Sequence, residues 1–146
     1  MAVAARAIII KNNELLLMFR DKYGSQFYTL VGGQIAEGES VEDGLIREVM
    51  EETGLEVTAH QLVYFQDHPG PYNKQYIYLC EVAPHDDIGL HIDSEEAKLN
   101  KLGVNNHTPV WVTKSAFPHI QFNTAPLHLA IIEALKKGFP AKPRQL

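Results

Sequence analysis

Two stretches near the start of the chain, Ala2 to Ile10 and Glu14 to Phe19, are apolar almost throughout and flank the pair Asn12-Asn13. Asparagine tolerates the left-handed backbone of a tight turn, so this pattern predicts a β-hairpin. Phe27 to Val31 is a short aromatic and β-branched run, predicting a strand that enters a loop at Gly32-Gly33. From Ser40 to Thr53 the period changes. Val41, Leu45, Ile46 and Val49 recur at helical spacing, Ser40 suits the N-cap with Asp43 three residues on, and Gly54 suits the C′ position. Glu56 to Gln66 and Gln75 to Ala83 alternate as strands do, with the Pro-Gly-Pro of residues 69–71 in their connection. Residues 84–108 are polar and mixed, with a helical turn expected at Ser94 to Leu99. Pro109 to Val112 reads as a short strand, and Ala125 to Lys137 as an amphipathic closing helix before a proline-rich tail. Strands and helices interleave without an internal repeat. The expected class is therefore an α/β (α+β) domain with a mixed sheet, single over residues 1–146.

Composition narrows the function classes. Of 146 residues, 45% are hydrophobic and 21% charged, the balance of a chain that buries a core. The longest unbroken apolar runs, such as Leu15 to Phe19, have five residues, against the roughly 20 a membrane helix needs. No charged n-region and apolar h-region open the sequence, which argues against a cleaved signal peptide. Cys80 is the single cysteine, so no internal disulfide forms, and a reducing cytoplasmic location is expected. Its apolar neighbours make it a packing residue.

The net charge of −5 is unevenly spread. Residues 37–56 hold eight acids against Arg47 alone, and the rest of the chain is slightly basic. No basic stripe is present to follow a nucleic-acid backbone, so no polynucleotide partner is expected. The acidic cluster is either a solvated face or a cation site.

Spacing bears on that choice. Side chains three and four apart share a helix face, which places Glu48, Glu51 and Glu52 together. Gly44 falls in the same arc and lets another segment approach closely, while Val41, Leu45 and Val49 line the adjoining, core-facing arc. Each close like-charged pair costs roughly 0.2–0.5 kcal/mol on a helix surface. A divalent cation removes that repulsion, and hard carboxylate oxygens suit Mg²⁺ or Mn²⁺. Gly32 and Gly33 let the backbone turn tightly and present a carbonyl to such a cation. Arg47 lies on the acid side of the helix, where its guanidinium can clamp Glu39 or Glu48.

From Gly33 to Leu55 the chain runs GQIAEGESVEDGLIREVMEETGL. This segment resembles the Nudix box: a glycine, five residues, a glutamate, seven residues, then Arg-Glu-aliphatic-x-Glu-Glu-x-Gly-aliphatic. Gly33, Glu39, Arg47, Glu48, Val49, Glu51, Glu52, Gly54 and Leu55 occupy every defined position. Many members carry proline where Val31 stands and glutamate where Ala36 stands. The resemblance implies an α/β/α sandwich with the mixed sheet between helices, and a MutT-like, metal-dependent pyrophosphohydrolase. Glu48, Glu51 and Glu52, with the Gly33 carbonyl, would ligate Mg²⁺ or Mn²⁺. A box glutamate, or an acid from a later loop, would deprotonate the attacking water, with Arg47 and Glu39 completing the site. The substrate implied is a nucleoside diphosphate linked to a moiety X, split into a nucleoside monophosphate and phosphoryl-X. The alternative reading is a non-catalytic nucleotide-sensing domain on the same fold.

Other residues carry weaker expectations. The seven histidines show no metal-ligand spacing and read as surface or core-edge residues. Asp86, Asp87, Glu95 and Glu96 read as solvated loop charges. Phe27, Tyr28, Tyr64, Phe65 and Tyr72 are candidates for base stacking, with core packing expected for most, and Trp111 is expected in the core. The apolar Ala2 to Ile10 strand suits either a homodimer edge or the inside of a sheet; both stay open.

Overall fold

The structure is a computed structural model, and it describes residues 2–84 and 105–146. Seven strands form one mixed sheet: β1 (Val3–Lys11), β2 (Glu14–Lys22), β3 (Ser25–Gln34), β4 (Val57–Asp67), β5 (Lys74–Val82), β6 (Asn105–Thr113) and β7 (Arg144–Gln145). Among the described residues, helices α1 (Val41–Thr53) and α2 (Ala125–Lys137) and a 3-10 turn at Phe117–His119 accompany it. The strand order is β6-β2-β3-β1-β5-β4-β7, with β1 parallel to β5 and antiparallel to β3.

Both faces of the sheet are covered. Ala5, Ala7, Ile9, Leu16 and Met18 pack with Leu45 and Val49 of α1. Ile8, Leu15 and Leu17 pack with Leu127, Ala130 and Ile131 of α2 on the other face. A strand buried on two sides has no polar face, which is why β1 and β2 read as continuous apolar runs rather than alternating ones. The expected α/β/α sandwich is therefore present, with Cys80 buried in the α1 side and Trp111 packed against the same cluster.

The predicted hairpin is real but short. Asn12 and Asn13 both take positive φ, 54° and 64°, as a tight hairpin turn requires. Beyond Ile10 paired with Leu15, β1 and β2 part. Strand β3 fills the fork, pairing through Leu30 with β2 and from Val31 with β1. It is also longer than expected. A second tight turn at Tyr23-Gly24, with φ of 51° and 86°, starts it early, and Gly32-Gly33 lie within the strand rather than in a loop. Strand β1 has neighbours on both sides, so Ala2 to Ile10 is an inner strand and offers no edge for a homodimer. The proline-rich tail supplies β7, a short parallel addition to β4 that composition did not reveal. The turn expected at Ser94 to Leu99 lies outside the described residues. Among those described, no helix is long and apolar enough to cross a membrane.

Candidate functional site

Helix α1 is set by its ends. Ser40 accepts a hydrogen bond from the Asp43 N–H at 3.1 Å, and Gly54 adopts φ 75° at the C′ position. Each cap satisfies helix-end groups that would otherwise be orphaned. The helix lies across the sheet so that Leu45 and Val49 enter the core. Gly44 is buried where a side chain would strike Ile35 and come within 2.9 Å of the Glu39 carboxylate. The loop before the helix, Ile35 to Glu39, thus rests directly on α1.

Arg47 organises the outer part of the site. Its Nε donates to Glu39 Oε2 at 2.8 Å and its Nη2 to Glu39 Oε1 at 3.0 Å, while Nη1 reaches both Glu48 at 3.1 Å and Glu51 at 3.2 Å. The guanidinium therefore clamps Glu39 and Glu48 together rather than one of them. The Glu39 hydrogen bonds push the Arg47 pKa above its ordinary value. In return Arg47, and next the Ala36 N–H, hold the Glu39 carboxyl below the usual glutamate range.

Glu52 turns the other way. Past Leu30, β3 has lost β2 as a neighbour, and its backbone groups need new partners. The Gly32 N–H donates to Glu52 Oε1, and the Gly32 carbonyl accepts from Arg6 Nη1 at 2.8 Å. The glycines answer to close approach rather than to a turn. At Gly32, with φ 131°, a Cβ would collide with the Ala5 carbonyl, and at Gly33 it would lie 2.5 Å from Glu48 Oε2. The Arg6 hydrogen bond takes one of the two lone pairs of the Gly32 carbonyl.

Glu48 and Glu52 are 8% and 2% exposed, and both line a cleft floored by Gly32 and Gly33. Buried carboxylates are costly unless something offsets their charge. Among the described residues no three His, Cys, Asp or Glu side chains converge tightly enough to hold a metal by themselves. The donor set nonetheless fits a Mg²⁺-type ion, which takes one or two carboxylates and fills its octahedron with water and substrate phosphates. Glu51, half-buried and held by Arg47, stands beside that pair.

The cleft also contains Arg6 and Arg20, which sequence reasoning did not single out, together with Tyr72, one of the stacking candidates, and His107. Arg6 had a signal, a lone charge inside the apolar strand Ala4-Ala5-Arg6-Ala7-Ile8. His107 is buried, contrary to the surface or core-edge expectation, because β6 places it opposite Arg20 of β2. Of the aromatic candidates, Tyr64 is core, whereas Tyr72 and Phe27 face the clefts. Asp86, Asp87, Glu95 and Glu96 lie outside the described residues.

The Nudix domain family model matches residues 1–128. The chain belongs to the Nudix family. It is 29% identical over 103 residues to Nudix hydrolase 2 of Arabidopsis thaliana, covering 66% of this chain and 36% of that protein. It is 32% identical over 101 residues to the NAD-capped RNA hydrolase NudC of Vibrio cholerae, covering 68% and 36%. The chain thus spans about a third of the length of these relatives. The MutT Nudix hydrolase from Burkholderia pseudomallei superposes with a TM-score of 0.66 at 21% identity, covering 88% of this chain and 95% of that one. Nudix hydrolases in general use divalent metal ions.

Proposed function

We propose that this chain hydrolyses the pyrophosphate bond of a nucleoside diphosphate joined to a moiety X, in a reaction that needs Mg²⁺ or Mn²⁺. The observation that carries the reading is the pair of buried carboxylates, Glu48 and Glu52, opening into a cleft at the wall of a complete Nudix box. Glu48, Glu51 and Glu52, with the Gly33 carbonyl, would hold the metal. When bound, it would offset phosphate charge and lower the barrier to attack by water.

The remaining work belongs to the protein. Arg47 holds Glu39, Glu48 and Glu51 in fixed orientations, so ligands need not reorganise as charge develops. The Gly32 N–H fixes Glu52 in the same way. A carboxylate of the box, or an acid of a later loop, takes a proton from the attacking water. Water oxygen bonds to one phosphorus, the bridging P–O bond breaks, and a nucleoside monophosphate leaves alongside phosphoryl-X. Family membership and the relatives named as hydrolases support a catalytic reading over a nucleotide sensor, as does retention of every box carboxylate.

A substrate panel decides it: nucleoside triphosphates, nucleotide sugars, dinucleoside polyphosphates and NAD-capped RNA, each with Mg²⁺ and with EDTA. Metal-dependent release of a nucleoside monophosphate is the expected result. Nucleotide binding without turnover on any of them would establish the sensor instead.

A further inference from the structure

Beside the carboxylate cleft, and sharing Arg6, Arg20 and Tyr72 with it, lies a second cleft of about 560 Å³. That volume suits a substantial part of a small ligand. Its lining differs from that of the first, where Glu48 and Glu52 stand beside Arg6 and Arg20. Arg6, Arg20 and Lys22 line it with the rings of Phe27 and Tyr72, and no acid does so among the described residues.

Arg6 is the hinge between the two halves, and its setting differs from that of Arg47. Nε donates to Gln75 Oε1 at 3.2 Å, and Nη1 to the carbonyls of Gly32 at 2.8 Å and Leu30 at 3.4 Å. Every one of these acceptors is neutral. No carboxylate pairs with Arg6 among the described residues, and neither N–H of its Nη2 has a hydrogen-bond partner there. The side chain is half-buried and lies 5.8 Å over the Tyr72 ring.

The guanidinium is also held still. Gln75 Nε2 donates to Gln66 Oε1 at 3.0 Å, and Gln66 Nε2 donates to the Thr124 hydroxyl at 2.9 Å, which caps α2. Gln66 and Gln75 are buried, so this relay fixes the amide that receives Arg6 Nε. A fixed, half-buried guanidinium with spare donors, and with no carboxylate hydrogen-bonded to it among the described residues, is arranged for an incoming anion, and phosphate matches its fork.

We propose that Arg6 anchors a phosphate of the substrate lying beyond the scissile pyrophosphate, in the cationic second cleft. This rests on the hydrolase reading and narrows its substrate. The chain is assigned to nucleotides with a third phosphate, nucleoside triphosphates or dinucleoside polyphosphates, over nucleotide sugars whose X continues as a neutral sugar. Lys22 lines the same cleft and adds charge at its rim. Gln75 is a positioning residue.

The test compares a nucleoside triphosphate with the matching nucleoside diphosphate sugar. The parent's kcat/KM should favour the triphosphate, and Arg6→Gln should lower that preference about 10- to 100-fold, mainly through KM, as expected for one lost charge-assisted contact. Arg6→Lys should restore part of it. Because Arg6 also holds Gly32, the ratio between substrates is the readout rather than either rate alone. An unchanged ratio in a folded Arg6→Gln protein overturns the proposal. Should that variant fail to fold, Lys22→Gln replaces it, on an exposed residue, and must lower the ratio in the same direction; no change overturns the proposal. Binding of the triphosphate and of inorganic tripolyphosphate in EDTA reports independently of turnover. If nothing is hydrolysed, the hydrolase reading fails. Weaker binding to the variant still supports the Arg6 anchor, and equal binding overturns it.

Discussion

Arg47 and Glu39 meet through two parallel hydrogen bonds, fork to fork, although they stand eight positions apart and Glu39 lies outside the helix. The pair ties the loop over Gly44 to the helix that carries the other carboxylates. Arg47→Ala should therefore act on geometry and on stability together. We expect kcat to fall by at least tenfold with a smaller change in KM, since ligands that drift penalise the transition state most. The melting curve should show a loss of about 1–2 kcal/mol, between the values for exposed and buried ion pairs. Parent-like kcat and melting temperature together would reduce Arg47 to a surface charge.

Acid should undo the same contact. The Arg47 and Ala36 hydrogen bonds hold the Glu39 carboxyl below its usual range in the folded chain. A depressed folded pKa favours the ionised form, so its stabilisation is complete above the usual glutamate range near 4.3 and disappears as pH falls below it. Melting temperature followed from pH 7 to pH 3 should therefore drop less steeply in Glu39→Gln than in the parent. Identical slopes would remove Glu39 from the account of acid sensitivity.

The two adjacent glycines should fail differently when given a methyl group. At Gly32 the new Cβ meets backbone, the Ala5 carbonyl and Arg6 Cα, at a φ that alanine rarely adopts. Gly32→Ala should lose more than about 2 kcal/mol or fail to fold. At Gly33 the obstacle is the far end of Glu48, which can swing aside. Gly33→Ala should stay folded and lose activity, with a weakened Mg²⁺-dependent rise in melting temperature. The reverse ranking of the two stabilities would contradict the close approaches described above.

Glu52→Gln preserves shape and the acceptor for Gly32 while removing charge. The variant should fold in EDTA, lose turnover by orders of magnitude, and gain less melting temperature from Mg²⁺ than the parent. Near-parent turnover would exclude Glu52 as a metal ligand.

Burial pushes the Cys80 thiol up to about 12, which leaves little thiolate near neutrality. A disulfide reagent at pH 8 should modify the native protein slowly and the urea-unfolded chain at the ordinary rate. Rapid modification of folded protein would mean that β5 opens readily.

The box was legible in the sequence because its geometry is local. One helix period places Glu48, Glu51 and Glu52 on one side, and Ser40 and Gly54 set its ends whatever packs against it. The hairpin turn at Asn12-Asn13 and the span of α2 were legible for the same reason. What the glycines were for was not, since Gly32 and Gly33 are needed by partners 27 and 15 positions away, Ala5 and Glu48.

By itself, then, the sequence determined the family, the carboxylate helix and the hairpin turn at Asn12-Asn13, all written in spacing between near neighbours. Only the tertiary structure decided that β3 fills the fork between β1 and β2, which puts Ala2 to Ile10 inside the sheet. It also decided that Arg6, Gln66, Gln75 and Thr124, from three strands and a helix cap, join in one chain of hydrogen bonds beside the acids. Those contacts join residues up to 69 positions apart. No periodicity encodes them, because strand order and register bring them together only once the sheet has formed.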